Sequence, residues 1–436
     1  MPSGRTAFLV AAVREAALLG LRALLGARPT GPQPGVPVLS TVARVQMRLI
    51  DTFFYSLQGL PVVWSVLSMV NHCEAAGPSP ELARAYVLAG LLAGLVPAPR
   101  LATGWCRRAL DTARRTGSRA DGTWVLSRVA TLQAWLCHWD EATVLAEHVS
   151  AISREVGDLR SWEEKALLLG RIAFLTGEFE RASERFREVY DSTLRRGVVQ
   201  FRCGAIILRA DALVRLGRER EALGLYGGVL ADLGGVDQLS DRSSWTAALG
   251  MQALARLRTD DREGAYDSAA RALSFLAASQ PIGDWMQHGT AAVAEVLLTL
   301  LEAGWAGPAG SRVVLERQAR QAVRAMRRFA HRFAVGRPHA LLWGGLLAWL
   351  GGHRRLAVRR WQRTLRVATE LRTPYELGRA HLELGRHLPI DAPARRAHLD
   401  HAAVVFQRLG CATELTRVQT ELSRHRSVSA AAPAAS

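Results

Sequence analysis

Lysine and asparagine are almost missing from this 436-residue chain: 55 of its 56 basic residues are arginine, Lys165 is the one lysine, and Asn71 is the one asparagine. That skew fits the codon usage of a GC-rich bacterial genome. It also excludes a peptide clamp built from lysine and asparagine. Any carboxylate bound here must be held by arginine, whose planar fork favours bidentate pairing. The five cysteines (Cys73, Cys106, Cys137, Cys203, Cys411) show no CxxC spacing, which excludes a disulfide or zinc framework and leaves them as small buried apolar residues. Long apolar runs are missing too. The stretches Gly59 to Val70 and Tyr86 to Val96 are too short to span a bilayer, and Arg14 and Glu15 interrupt residues 7–27 as a signal-peptide core. A cytoplasmic location is expected.

Catalytic signatures are equally scarce. A phosphate-cradling loop needs GxxxxGK[ST], yet Lys165 sits in Trp162-Glu-Glu-Lys-Ala with no glycine loop ahead of it. No HExxH, GxSxG, Cys–His, kinase or cyclase signature appears. His398 and His401 lie one helical turn apart, but with no third ligand in sequence they read as a surface pair. His381 and His387 fall on different helical faces. Trp343, Trp349 and Trp361 recur at helical spacing and read as core packing. The expectation is a non-enzyme with no cofactor and no metal.

What is present is a repeat. Ala102, Ala142, Ala182 and Ala222 stand 40 residues apart, each just past a short polar turn and at the head of an apolar-periodic stretch. Self-similarity at such a period marks a helical repeat array whose stacked units bury a shared core. Helix pairs are expected at 81–117, 121–157, 159–197, 199–234, 241–279, 284–334, 337–372 and 375–409, with a final helix near 411–425. The sixth pair carries the insertion Gly304 to Gly310. Ser79, Pro80 and Glu81 form a helix start. Before the array come a helix at 7–27, loosely attached or capping, and a Pro/Gly linker at 28–37. Residues 1–37 thus form an N-terminal segment, 38–426 the array, and 427–436 a disordered tail.

Leu169, Gly170, Ala182, Phe186 and Val189 occupy the small and large positions of a tetratricopeptide (TPR) repeat, and Ala210, Ala222, Tyr226 and Val229 do so again, as do Gly345, Ala357 and Trp361. The period exceeds the usual ~34 residues and no proline closes each unit, so these are TPR-like units with longer helices. The fold class implied is an all-α, TPR-like solenoid, a right-handed superhelix of antiparallel helix pairs. Gly77-Pro-Ser-Pro-Glu-Leu-Ala-Arg-Ala-Tyr86, Phe333-Ala-Val-Gly-Arg-Pro-His-Ala-Leu-Leu-Trp343 and Glu376-Leu-Gly-Arg-Ala-His-Leu-Glu-Leu-Gly-Arg-His-Leu388 together resemble the TPR-like C-terminal region of large bacterial signalling proteins. Those proteins join a class III adenylate/guanylate cyclase or serine/threonine kinase domain to an AAA-type ATPase. The resemblance spans about residues 40 to 410 and implies a sensing or partner-binding part. The expectation is an array that stands alone or is split from its enzyme.

The charge is concentrated. Residues 311–372 hold 15 arginines against Glu316 and Glu370, a net +13 of the chain's +17. Arg317, Arg320, Arg324, Arg327 and Arg328 fall on one helical stripe, opposite Leu315, Ala319, Val323, Met326 and Ala330. Arg355, Arg359, Arg363 and Arg366 oppose Ala357, Trp361, Leu365 and Ala368 on the next array helix. These nine arginines are the candidate partner-binding residues. The expected partner is a protein, such as a signalling ATPase, cyclase or kinase, and the array is a scaffold for it. The alternative is nucleic acid or anionic membrane bound through 311–372, although no DNA-reading helix-turn-helix is apparent.

Overall fold

A computed structural model describes residues 2–24, 36–55, 58–96, 98–232, 242–278, 281, 283–305, 307 and 311–431. Among these residues there are twenty α-helices and no strand. No helix among them is long and apolar enough to cross a membrane. The chain divides into two compact units, Met1–Lys165 and Ala166–Ser436.

Across the best-formed repeats the backbone keeps a beat of half the repeat. Gly117, Cys137, Gly157, Gly177, Gly197 and Gly217 are spaced 20 apart, and all have positive φ, from +62° to +89°. Each ends one helix in the left-handed conformation that lets the chain turn back, which favours glycine. The 40-residue period is therefore two helices of 17 or 18 residues, each with its own left-handed stop. Cys137 is the one non-glycine in the series.

The first unit contains α1 (Arg5–Leu24), α2 (Val36–Tyr55), α3 (Gly59–Ala76), α4 (Pro80–Gly94), α5 (Pro99–Thr116), α6 (Arg119–Trp135), α7 (Trp139–Glu155) and the start of α8 (Leu159–Leu175). Helix α1 is a cap packed on α3. The Asn71 side chain donates to Glu15 O (3.0 Å) and Oε2 (2.7 Å), while Arg22 donates to Asn71 O at 2.8 Å. The Phe8 ring meets Trp64 edge-on at 5.6 Å. Most of the linker at 28–37 lies outside the described residues, although α2 already begins at Val36. Ser79 caps α4 as expected, its hydroxyl accepting from Leu82 N at 3.1 Å.

Lys165 is fully buried between α6 and α8, its Nζ donating to Ser127 O at 2.9 Å. Burial, with the nearby Arg128 charge, pushes its amine down to about 7. Cys73 and Cys106 are buried thiols, pushed up to about 12 chiefly by burial.

The second unit takes the rest of α8, then α9 (Phe179–Arg196), α10 (Val199–Leu216), α11 (Glu219–Asp232), α12 (Arg242–Arg258), α13 (Arg262–Ala278), α14 (Gln287–Glu302), α15 (Arg312–Arg332), α16 (Arg337–Leu350), α17 (Arg354–Glu370), α18 (Pro374–His387), α19 (Pro393–Arg408) and α20 (Ala412–Ala431). Helix α20 runs to Ala431, five residues into the stretch expected to be a disordered tail. Residues 432–436, and most of the insertion at 304–310, lie outside the described residues. Pairing rests on small-against-large contacts: Gly170 lies under the Phe186 ring and Gly345 under the Trp361 indole, so a Cβ at either would collide. Ala182 and Ala222 are fully buried.

An open array would let each repeat touch only its neighbours. The second unit goes further. Tyr375, Leu399, Phe406 and Leu409 from α18 and α19 share one apolar core with Phe174, Phe179 and Phe186 of α8 and α9. The Tyr375 ring stands 6.0 Å from Phe179 and 5.8 Å from Phe406. The end of the unit thus packs on its beginning.

Candidate partner-binding surface

Helix α15 buries Leu315, Ala319, Val323, Met326, Phe329 and Ala330, and α17 buries Ala357, Trp361, Thr364 and Ala368. With those rows turned inward, the intervening positions must face solvent. Arg317, Arg320, Arg324, Arg327 and Arg328, and Arg355, Arg359, Arg363 and Arg366, are all exposed. Among the described residues, only Arg320 of the nine has a carboxylate partner, Glu316 at 3.5 Å. Arg328 is partly committed, donating to Leu276 O at the end of α13 at 3.2 Å.

The two stripes are joined at a residue absent from the sequence expectation. Arg360 of α17 donates to Gly344 O at 2.6 Å. A Cβ on Gly344 would lie 3.4 Å from Arg327 Nη2 and 3.7 Å from Arg360 Nη1. Both guanidiniums thus lie close to the α16 backbone at Gly344. Partial burial, and then the Arg327 charge, lower the Arg360 pKa. Two cations held together without a carboxylate between them make an anion-seeking spot. Beside α15, a surface groove of about 860 Å³ runs against α13, with Arg317, Arg320 and Arg324 on its α15 side.

A second feature, interior to the second unit, was not singled out from sequence. Glu414 of α20 is fully buried and accepts from Tyr375 OH at 2.9 Å, Arg379 Nη1 at 3.2 Å and Arg417 Nη1 at 3.1 Å. It also pairs closely with Arg258 of α12. Arg379 bonds Glu295 of α14 at 2.6 Å and lies over the Trp343 ring at 4.9 Å. Burial alone would raise the Glu414 carboxyl, but Arg379, Arg417 and Arg258 hold it well below the usual range. The available clue was charge at core-facing positions: Glu295 inside Ala294-Glu-Val-Leu, and Arg379 and Glu383 one turn apart. These ion pairs cross-link α12, α14, α18 and α20.

Nearby, Asp211 accepts from Tyr226 OH at 2.6 Å, and burial raises its carboxyl to about 7. His288 Nδ1 lies 3.7 Å from Asp211. Burial and the charges of Arg215, His339 and Arg171 hold His288 well below its usual pKa.

The His398 and His401 pair gains a third member, His381 of α18. Its Nδ1 is 2.9 Å from that of His398, and its ring stacks on His401 at 5.1 Å. Stacked rings do not point their nitrogens at one shared point. Among the described residues no group of three His, Cys, Asp or Glu is placed to hold a metal ion. His387 instead faces Trp361, at 4.8 Å, and Glu302. Trp343 and Trp361 are buried in the core, as the spacing implied.

No protein-family model matches the chain, and no curated protein sequence matches it significantly. Solved structures do match its fold. A Rap protein complexed with competence and sporulation factor aligns with a TM-score of 0.58 at 11% identity, over 89% of this chain and 99% of that one. The apo form of the quorum sensor NprR from B. thuringiensis aligns with a TM-score of 0.50 at 11% identity, over 84% and 98%. The helix pairs, their small-against-large packing and these alignments agree: the chain has a TPR-like helical-repeat fold.

Proposed function

We propose that this chain is a non-catalytic TPR-like scaffold in bacterial signalling, which engages an acidic protein partner through the arginine faces of α15 and α17. The observation that carries the reading is the row of exposed guanidiniums running from Arg317 to Arg366, of which, among the described residues, only Arg320 has a carboxylate partner. Surface arginines in most proteins are interspersed with acids; leaving so many unpaired costs self-repulsion that a complementary partner relieves. The likeness to large cyclase, kinase and ATPase signalling proteins makes such an enzyme the partner class. The Rap protein of similar fold, seen with a bound factor, fits an array used for partner binding.

The test is affinity capture from the native bacterium with wild-type protein and with R317Q/R320Q/R324Q/R355Q/R359Q/R363Q, followed by titration of the purified captured protein. A signalling enzyme bound by wild type alone, more tightly at low salt, supports the reading. Equal binding by both chains, or recovery of nucleic acid alone, rejects it.

A further inference from the structure

We infer that the groove between α13 and α15 is a docking site for an acidic amphipathic helix of the partner protein, an inference that rests on the reading above. The α13 wall is small and apolar: Ala270, Leu273 and Ala277, with Ser274 among them. The opposite wall carries Arg317, Arg320 and Arg324, and Val313 stands 76% exposed at its end. From Val313 to Arg324 the wall is about 17 Å long at 1.5 Å per residue. The arginines recur at i, i+3 and i+7, so they form a straight row two turns long.

An occupant must therefore offer apolar side chains to one wall and carboxylates at helical spacing to the other. An amphipathic helix offers both on adjoining faces. Single-stranded nucleic acid fits less well, because its bases need aromatic platforms and, among the described residues, no aromatic side chain lines the groove. Glu316, also in the lining, is held between Arg312 at 3.3 Å and Arg320 at 3.5 Å. It would repel a continuous phosphate chain, whereas it leaves Arg317 and Arg324 for discrete carboxylates. A membrane surface needs several protruding apolar side chains, and Val313 alone protrudes here.

The probe is a fluorescein-labelled helical peptide of about 18 residues, with leucines on one face and glutamates at i, i+3 and i+7 on the next. Its binding to the full chain is followed by anisotropy at low and high salt. R317Q/R320Q/R324Q should weaken binding about tenfold, since the two rim ion pairs of Arg317 and Arg324 are lost together with the charge of Arg320. S274W should abolish it by filling the groove with no change of charge. R355Q/R359Q/R363Q tests whether the α17 face takes the peptide instead, and the control R107Q/R114Q/R115Q, three exposed arginines of α5, should leave it within about threefold. Circular dichroism melting confirms that each variant is folded.

Loss of binding in the α17 variant alone overturns the groove while leaving the arginine-face reading intact. Binding unchanged by the α15 and α17 variants, or no binding by wild type, overturns the groove, while the arginine-face reading is rejected separately by equal capture of the native partner. Preferential binding of polyuridylate or of phosphatidylserine vesicles through Arg317, Arg320 and Arg324 overturns the protein-helix assignment.

Discussion

Replacing Glu414 by alanine should loosen the second unit more than any surface change. The carboxylate is fully buried among Arg258, Arg379, Arg417 and Tyr375, on a helix at the end of the chain. Removing it strands the Arg258 and Arg379 guanidiniums in the interior. Each keeps a second anion: Arg379 has Glu295 at 2.6 Å, and Arg258 has Glu219 at 3.7 Å. Breaking one side of a buried pair costs about 3–5 kcal/mol, and those remaining partners place the cost toward the lower end. Ala166–Ser436 is 271 residues (436 − 165). At about 2.1 cal/mol/K of unfolding entropy per residue, each kcal/mol then moves the melting midpoint by about 2 °C. The expected fall is roughly 5–7 °C by calorimetry.

Because the folded carboxyl sits below its unfolded value, its contribution is present above about pH 4.3 and lost as pH falls further. The wild-type advantage over E414A should therefore shrink in acid. A double change, R258M with E414L, should recover much of the loss, since apolar replacements of a buried pair are close to neutral. A midpoint within about 1 °C of wild type for E414A would refute the buried ionic centre.

Three further outcomes follow from single residues. Lys165, held at about 7 when folded, disfavours the charged form, so stability relative to K165M should rise by roughly 4–5 kcal/mol from pH 7 to pH 10.5, and a flat difference in chemical denaturation contradicts its burial. Asp211 has the opposite sign: its carboxyl is raised to about 7, so stability relative to D211N should be greatest below pH 4 and fall by roughly 4 kcal/mol as pH rises to 7, read from the same denaturation series. Cys137 holds φ +62° where the series otherwise uses glycine, so C137G should raise unfolding free energy by about 0.5–1 kcal/mol, and a loss would mean its thiol contacts outweigh the backbone strain.

The fold was largely legible because its determinants are local and periodic. Ala102 to Ala222 marked the close helix contacts, short polar turns marked the breaks, and the expected pairs fall within a few residues of the observed helices. The arginine faces were legible for the same reason: amphipathic spacing alone decides which side of α15 and α17 meets solvent. What escaped was non-local. Nothing in the spacing says that Tyr375 returns to Phe179, or that Glu414 meets Arg258 across 156 residues. The Arg327 and Arg360 junction depends on α15 and α17 both meeting α16, and the third histidine on α18 packing against α19. Such contacts are set by how helices stack, which a periodic pattern does not encode.

The most direct test of the central claim is charge reversal at the arginine faces, measured as affinity for the captured partner by calorimetric titration. The variants are R317E/R320E/R324E and R355E/R359E/R363E/R366E. The account predicts that at least one lowers affinity by about a hundredfold at low salt, with an unchanged melting midpoint, and that exchanging acidic residues of the partner for arginine restores it. Affinity equal to wild type in both variants, at low salt and with the array folded, would contradict it.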